Sequence, residues 1–372
     1  MILTARSLPG YLLDRGLVAP AEVVDGDLCV ADLSRRNRNF RVTRGPRPGL
    51  FIKQPQDWET YSAETVRREA SCYLLARDDP RFAELGGLLP RFVDFDAASS
   101  VLVLELLPSD ETLGDYHRRL GHFPLEMAHA LGAMLGGYHR DAAAQRADAP
   151  GARVFPQAVP WILNVVNHNP SHIGTVSGGC QEVVRILAHH PEYGAALDSV
   201  RAGWRAEALV HGDMKWENCV VVPPDVPGGT PGLRIVDWEL ADFGDPCWDV
   251  GSLFQAYLSF WIMSIQGADQ APPQSLPSLA RFPLEQMQPA MRAFWDSYVH
   301  TLGAAPPDAE ERLRRSVLYA AARMIQTVWE YSAAAPSLSP NLLAILQVAM
   351  NVLLRPDDAV RQLLGINARS AA

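Results

Sequence analysis

Between Leu209 and Asp249 the chain places single charged residues at the ends of short apolar runs, and that pattern leaves few folds open. Leu209-Val210 leads into His211-Gly212-Asp213-Met214-Lys215-Trp216-Glu217-Asn218. Arg234-Ile235-Val236 leads into Asp237-Trp238-Glu239, and Gly244-Asp245-Pro246 and Asp249 follow. A carboxylate after His-Gly, an Asn five positions on, and a second carboxylate closing an apolar strand form a constellation suited to phosphoryl transfer. One carboxylate faces an attacking hydroxyl, while the amide oxygen and the other carboxylate hold Mg²⁺ on nucleotide phosphates.

The rest of the composition narrows the setting. A chain of 372 residues, 48% hydrophobic and 20% charged, is long enough for two globular units with sizeable cores. A net charge of -9 argues against a nucleic-acid partner and suits a cationic one. Cys29, Cys72, Cys180, Cys219 and Cys247 are scattered and never spaced as Cys-x-x-Cys, which points to a reducing cytoplasm and away from zinc or a disulfide framework. The first residues lack the charged start and apolar core of a signal peptide. Val250 to Ile265 is the most apolar stretch, but Ser252, Gln255 and Ser259 interrupt it. A spanning helix needs about 20 mostly apolar residues, so this reads as a buried core helix and no membrane partner is expected.

Strand-like segments dominate the first hundred residues. Leu28 to Asp32 and Asn39 to Thr43 are joined by the arginine-rich turn Ser34 to Arg38, and Gly49 to Gln54 follows a Pro/Gly turn. Glu59 to Ala76 switches to helical periodicity. Pro90 to Asp96 and Val101 to Leu107 pair as a hairpin that ends at Pro108. Beyond it the chain is mostly helical, with Leu125 to Ala143 and Glu182 to Ala208 as helices and 144–180 as an irregular, turn-rich insert suited to substrate selection. Val220 to Val222 and Leu233 to Val236 form a hairpin, and helices continue to about residue 366.

His211-Gly212-Asp213 with Asn218, Val236-Asp237-Trp238-Glu239, and Gly244-Asp245-Pro246 with Asp249 together resemble the aminoglycoside phosphotransferase and choline kinase families. The resemblance reaches in weaker form from about Leu28 to Tyr257. It implies a two-lobed, protein-kinase-like α+β fold: a small, mostly antiparallel N-lobe with one helix, residues 1–107, and a larger helical C-lobe, residues 108–372. It implies that Asp213 orients the acceptor hydroxyl, that Asn218 and Asp237 are the metal residues, and that His211 and Asp249 brace the loop. Lys215, where many small-molecule kinases of this kind carry His, is placed to neutralise charge on the transferred phosphoryl group. Asp242-Phe243-Gly244 spells the metal-binding triplet of protein kinases, but Asp237 closes the apolar run, so Asp242 reads as a loop residue.

In the N-lobe, Lys53 ends the strand Leu50-Phe51-Ile52 and resembles the lysine that binds α- and β-phosphates. Glu69 on the following helix is its expected partner, with Glu64 second. Ser34 and Arg35 open a glycine-free loop, Ser34 to Asn39, at the place of the phosphate-covering flap. Glu105 to Leu107 takes the place of the segment whose backbone meets the purine edge, with Phe51 and Leu104 lining the adenine site.

Three readings remain open at this point. The first is a cytoplasmic, Mg²⁺-dependent O-phosphotransferase moving the γ-phosphate of ATP or GTP to a small-molecule hydroxyl, the acceptor being an antibiotic, an amino alcohol or another metabolite. The second keeps the chemistry but takes Ser/Thr of a precursor peptide, with a lyase as protein partner. The third is a kinase-shaped binding module without turnover.

Overall fold

The computed structural model describes residues 1–56, 60–143, 154–167, 176–224, 229–269 and 272–366. Much of the expected 144–180 insert, Glu59 of the expected helix and 225–228 of the expected hairpin loop lie outside the described residues. The chain has a two-lobed α+β fold and divides into two compact units. The first takes the described residues of 1–112, 147–156 and 218–241, and the second those of 113–146, 157–217 and 242–372. Residues 218–241 thus group with the first unit, and the division is not a single cut in the chain.

In the first unit β1 (Leu28–Asp32), β2 (Asn37–Arg44), β3 (Arg47–Pro55), β4 (Phe92–Asp96) and β5 (Val101–Glu105) make a five-stranded antiparallel sheet in the order β1-β2-β3-β5-β4. Strand alternation sends Leu50 and Ile52 to one face of β3 and Phe51 and Lys53 to the other. The first face buries Leu50 and Ile52 with Phe40, Val42, Val101 and Val103 against Leu8, Tyr11 and Leu12 of α1 (Leu8–Asp14). α3 (Thr60–Asp78) packs on β3. Besides that expected helix the unit holds α1, α2 (Pro20–Val24) and α4 (Ala83–Leu88), each too short for a 3.6-residue pattern to show in the sequence. β2 begins at Asn37, two residues earlier than expected, so the arginine-rich turn is tighter than the Ser34 to Arg38 loop read from sequence.

The hairpin of β7 (Cys219–Val222) and β8 (Gly232–Ile235) completes this unit, with Cys219 opposite Ile235. Val236 donates its N–H to the Asn218 carbonyl at 2.9 Å. That register sets Asn218 and Asp237 at the same end of the hairpin.

The second unit is helical: α5 (Leu113–Leu120), α6 (Leu125–Ala143), α7 (Gly178–His189), α8 (Pro191–Ala202), α9 (Pro246–Met263), α10 (Leu284–Leu302), α11 (Pro306–Ser332), α12 (Pro340–Leu354) and α13 (Pro356–Gln362). β6 (Ala208–Val210) pairs antiparallel with β9 (Asp242–Gly244). The single helix expected over Glu182 to Ala208 is two, because Pro191 has no N–H to continue α7 and instead starts α8. The helix expected from Val250 starts four residues earlier: Asp245 caps it through Oδ1, accepting from Cys247 N–H at 3.0 Å, with Pro246 in the first turn. Asp242 is a strand residue, not a loop residue. α9 is buried along most of its length, and among the described residues no helix is long and apolar enough to cross a membrane.

α9 and α11 approach closely at Gly251, where a Cβ would stand 2.5 Å from the Ser316 carbonyl oxygen and 2.9 Å from Ala320 N. Both obstacles are backbone, so a methyl group forces the helices apart. Gly251→Ala is expected to lower unfolding stability by about 2 kcal/mol, read as a lower urea midpoint at unchanged slope.

Candidate active site

A lysine inside a sheet needs opposite charge close by. Lys53, 5% exposed in the middle strand of its sheet, meets Glu69 Oε2 of α3 at 2.6 Å, Asp237 Oδ1 at 2.6 Å and Glu239 Oε2 at 3.2 Å. Burial works against its charge, but the Glu69, Asp237 and Glu239 carboxylates outweigh it and hold the ammonium well above the usual lysine range. Glu239 is also bound by Arg36 Nη1 at 3.1 Å and Asn37 Nδ2 at 3.0 Å, which ties the arginine-rich turn to the same cluster. The turn itself is closed by Ser34 N–H on Asp32 Oδ1, Asn39 N–H on Ser34 Oγ, and Arg35 N–H on the Asn37 carbonyl.

Asp237 takes left-handed backbone angles, φ 67° and ψ 54°, where β8 gives way to a 3₁₀ turn. Few residues other than glycine tolerate this region, and Asp is among those that do. The bend turns the chain sharply after Val236 and leaves the Asp237 side chain 41% exposed while it still reaches Lys53. Asn218, at the same hairpin end, is buried. At the end of β5, Glu105 N–H donates to the Arg91 carbonyl and Leu106 N–H to the Gly49 carbonyl, and Phe51 faces Leu104 across β3 and β5.

In the second unit the turn after β6 hangs on one carboxylate. Asp249 of α9 accepts from His211 N–H on Oδ2 at 2.7 Å and from Gly212 N–H on Oδ1 at 3.0 Å. His139 lies 3.4 Å from the same Oδ2, and its other ring nitrogen meets Tyr298 Oη at 3.1 Å. Trp248 Nε1 donates to the Gly212 carbonyl, and Asp213 N–H donates to His211 Nδ1. Gly212 has φ 81°, a turn that a side chain would strain. The loop so held presents Asp213 with a cation on each oxygen: Arg323 Nη2 of α11 on Oδ1 at 2.7 Å and Lys215 Nζ on Oδ2 at 2.7 Å. Burial pushes the Asp213 carboxyl up, but Arg323 and Lys215 outweigh it and hold the group well below the usual carboxylate range. Beside the loop is a cavity of about 460 Å³ whose lining includes Lys215, Trp216, Glu217, Phe260, Arg323 and Glu330.

No protein-family model matches the chain, and no curated protein sequence matches it. Solved structures do. A choline/ethanolamine kinase family protein from Mesorhizobium loti matches with TM-score 0.50 at 18% identity, over 95% of this chain and 97% of that one. A choline kinase from Cryptosporidium parvum matches with TM-score 0.55 at 12% identity, over 96% of each chain. The protein has the kinase-like fold of the choline kinases.

Within that kinase-like fold, Lys53, Glu69 and Asp237 meet in the first unit, and Asp213, Lys215, His211 and Asp249 meet in the second. Glu64 is exposed and Glu69 is the residue on Lys53. Asp242 has its oxygens on backbone amides, Oδ1 accepting from Gln157 and Phe243 and Oδ2 from Ala158 at 2.7 to 2.8 Å. Two residues escaped the sequence reading. Glu239 stands two after Asp237, and only its spacing from the strand end marked it. Arg323 is a lone charge in the apolar run Ala321-Ala322-Arg323-Met324-Ile325, and a charge in such a run is a sign of a buried partner.

Removing Lys53 strands the acids around it. Lys53→Met is expected to cost about 3 kcal/mol of stability, and the double variant Lys53→Met/Glu69→Leu should recover part of that loss. Urea unfolding of both variants measures it; a double variant less stable than Lys53→Met would refute the charge argument.

Proposed function

We propose that the protein is a Mg²⁺-dependent phosphotransferase that moves the γ-phosphoryl group of ATP or GTP to a hydroxyl of a small molecule bearing a cationic group. The observation that carries this reading is Asp213: a carboxylate held as an anion by Lys215 and Arg323, both of which also line a cavity of about 460 Å³. That volume is in the range of small-molecule sites. The kinase-like fold supports the reaction class, and one solved structure that shares it is a choline kinase.

The lining suggests the acceptor's charge. Lys215 and Arg323 face Asp213, and Arg118 pairs with Asp115 and lies over the Phe260 ring at 5.5 Å. Among the described residues Glu217 and Glu330 are in no ion pair, and they share the lining with Trp216 and Phe260. Carboxylates beside aromatic faces favour an ammonium group.

On this reading Asp213 accepts a hydrogen bond from the acceptor hydroxyl and aligns it for attack. Lys53 exchanges carboxylate contacts for the α- and β-phosphates, Ser34 and Arg35 stand over them, and the Glu105 carbonyl and Leu107 amide meet the purine edge. Lys215 neutralises charge on the transferred group. His211 and Asp249 hold the loop in place. Asn218 and Asp237 fit Mg²⁺: they offer oxygen donors from one hairpin end, Asp237 is partly exposed, and Mg²⁺ needs only one or two protein ligands when phosphates and water complete its shell. Bound there, the ion supplies charge neutralisation on the phosphate oxygens.

The test is incubation with Mg-ATP or Mg-GTP and a panel of amino alcohols, aminoglycosides, macrolides and Ser/Thr peptides, read by mass spectrometry for a gained phosphoryl group. Transfer to a cationic small molecule is expected. Transfer to peptides alone replaces the acceptor assignment, and nucleotide-dependent thermal stabilisation without transfer to anything leaves a binding module. Asp237→Asn, which keeps a residue tolerant of the left-handed angles, is expected to abolish transfer with little change in unfolding midpoint, whereas Asp242→Ala, which frees three backbone amides, should lower the midpoint and retain measurable transfer.

A further inference from the structure

The guanidinium of Arg323 is half used. Its Nη2 binds Asp213 Oδ1 at 2.7 Å, while Nε is buried without a hydrogen-bond partner. In a guanidinium these two N–H groups share one edge and point the same way, which is how arginine grips both oxygens of a carboxylate at once. The second oxygen of Asp213 is held by Lys215 instead. Arg323 is 2% exposed, and its guanidinium lies 5.7 Å from the centre of the Trp248 ring, whose Nε1 donates to the Gly212 carbonyl in the Asp213 loop. The close approach of α9 and α11 at Gly251 fixes the helix that carries it.

We infer that Arg323 is the positioning residue of the reaction: when Lys215 turns from Asp213 to the transferred phosphoryl group, the Nε–H of Arg323 takes up the oxygen that Lys215 held and keeps the carboxylate oriented. The inference rests on the phosphotransferase reading above and deepens it. Lys215 cannot neutralise a phosphoryl group and hold Asp213 in one pose with the same ammonium. A carboxylate gripped through both oxygens by one fork has fewer directions in which to turn as the acceptor hydroxyl needs it. Arg323 removes that conflict, because one planar group can hold both oxygens. The exchange breaks the Lys215 Nζ to Oδ2 contact and forms an Nε–H to Oδ2 hydrogen bond, with no proton changing owner.

The experiment uses the full-length enzyme with an acceptor found active in the panel. Arg323→Ala is expected to lower kcat about a hundredfold while the KM for nucleotide and for acceptor stays within about twofold. Millimolar guanidinium, far below denaturing concentration, should restore part of kcat in this variant and not in wild type. Arg323→Lys, which keeps the charge but not the fork, should fall between the two with unchanged KM, and it serves as the readout if Arg323→Ala does not fold. A kcat for Arg323→Lys equal to wild type overturns the inference, as does a loss confined to acceptor KM or an Arg323→Ala deficit that guanidinium leaves untouched. Wild-type enzyme that transfers phosphate to nothing overturns the phosphotransferase reading and this inference with it. Active wild type with an equally active Arg323→Ala overturns the inference alone.

Discussion

The buried ammonium of Lys53 constrains everything around it in the first unit. A charge in the middle strand of a sheet is tolerated only with opposite charge at contact distance. Three carboxylates supply it, from three different places in the chain: a helix, a strand end and the 3₁₀ turn beyond. Each is delivered by a local device. α3 packs on β3 and carries Glu69, the left-handed angles of Asp237 turn the chain back at the end of β8, and the turn that follows sets Glu239 among Lys53, Arg36 and Asn37. Lys53 with three acids is an acid-rich arrangement, and even Arg36 brings it only near balance.

The second unit solves the inverse problem. Asp213 is a buried acid, and two cations hold it. Here the supporting device is a second acid, Asp249, which carries no cation's role but binds two successive backbone N–H groups of the loop. The turn is thus anchored through its backbone independently of the Asp213 and Lys215 side chains.

Much of this was legible in the sequence because it is local. The strand that carries Lys53, the helix over Leu125 to Ala143, and the β7–β8 hairpin follow from apolar runs and turn residues a few positions long, although β3 continues past Lys53 to Pro55 and β8 stops at Ile235, two residues before Asp237. The choice of Glu69 over Glu64 came from its place on the helix. The short helices α1 and α2 are hidden because one turn or two of helix gives no period to detect, and the single helix read over Glu182 to Ala208 passes over the stop that Pro191 imposes. Arg323 was hidden for another reason. It lies 110 positions from Asp213, and nothing in its own neighbourhood says which acid it meets.

If Asp213 serves an acceptor hydroxyl as proposed, its two cations bear on what kind of help it gives. A carboxylate held below the usual carboxylate range by two cations is a weaker base, and a mechanism needing early, complete deprotonation of an alcohol would not be served by it. Phosphoryl transfer through a loose transition state does not need that. Bond breaking to the leaving group runs ahead of bond making, the hydroxyl keeps most of its proton until late, and orientation matters more than basicity. An aspartate fixed in direction by cations suits that demand, since the same contacts that weaken it as a base narrow the directions in which it can accept a hydrogen bond.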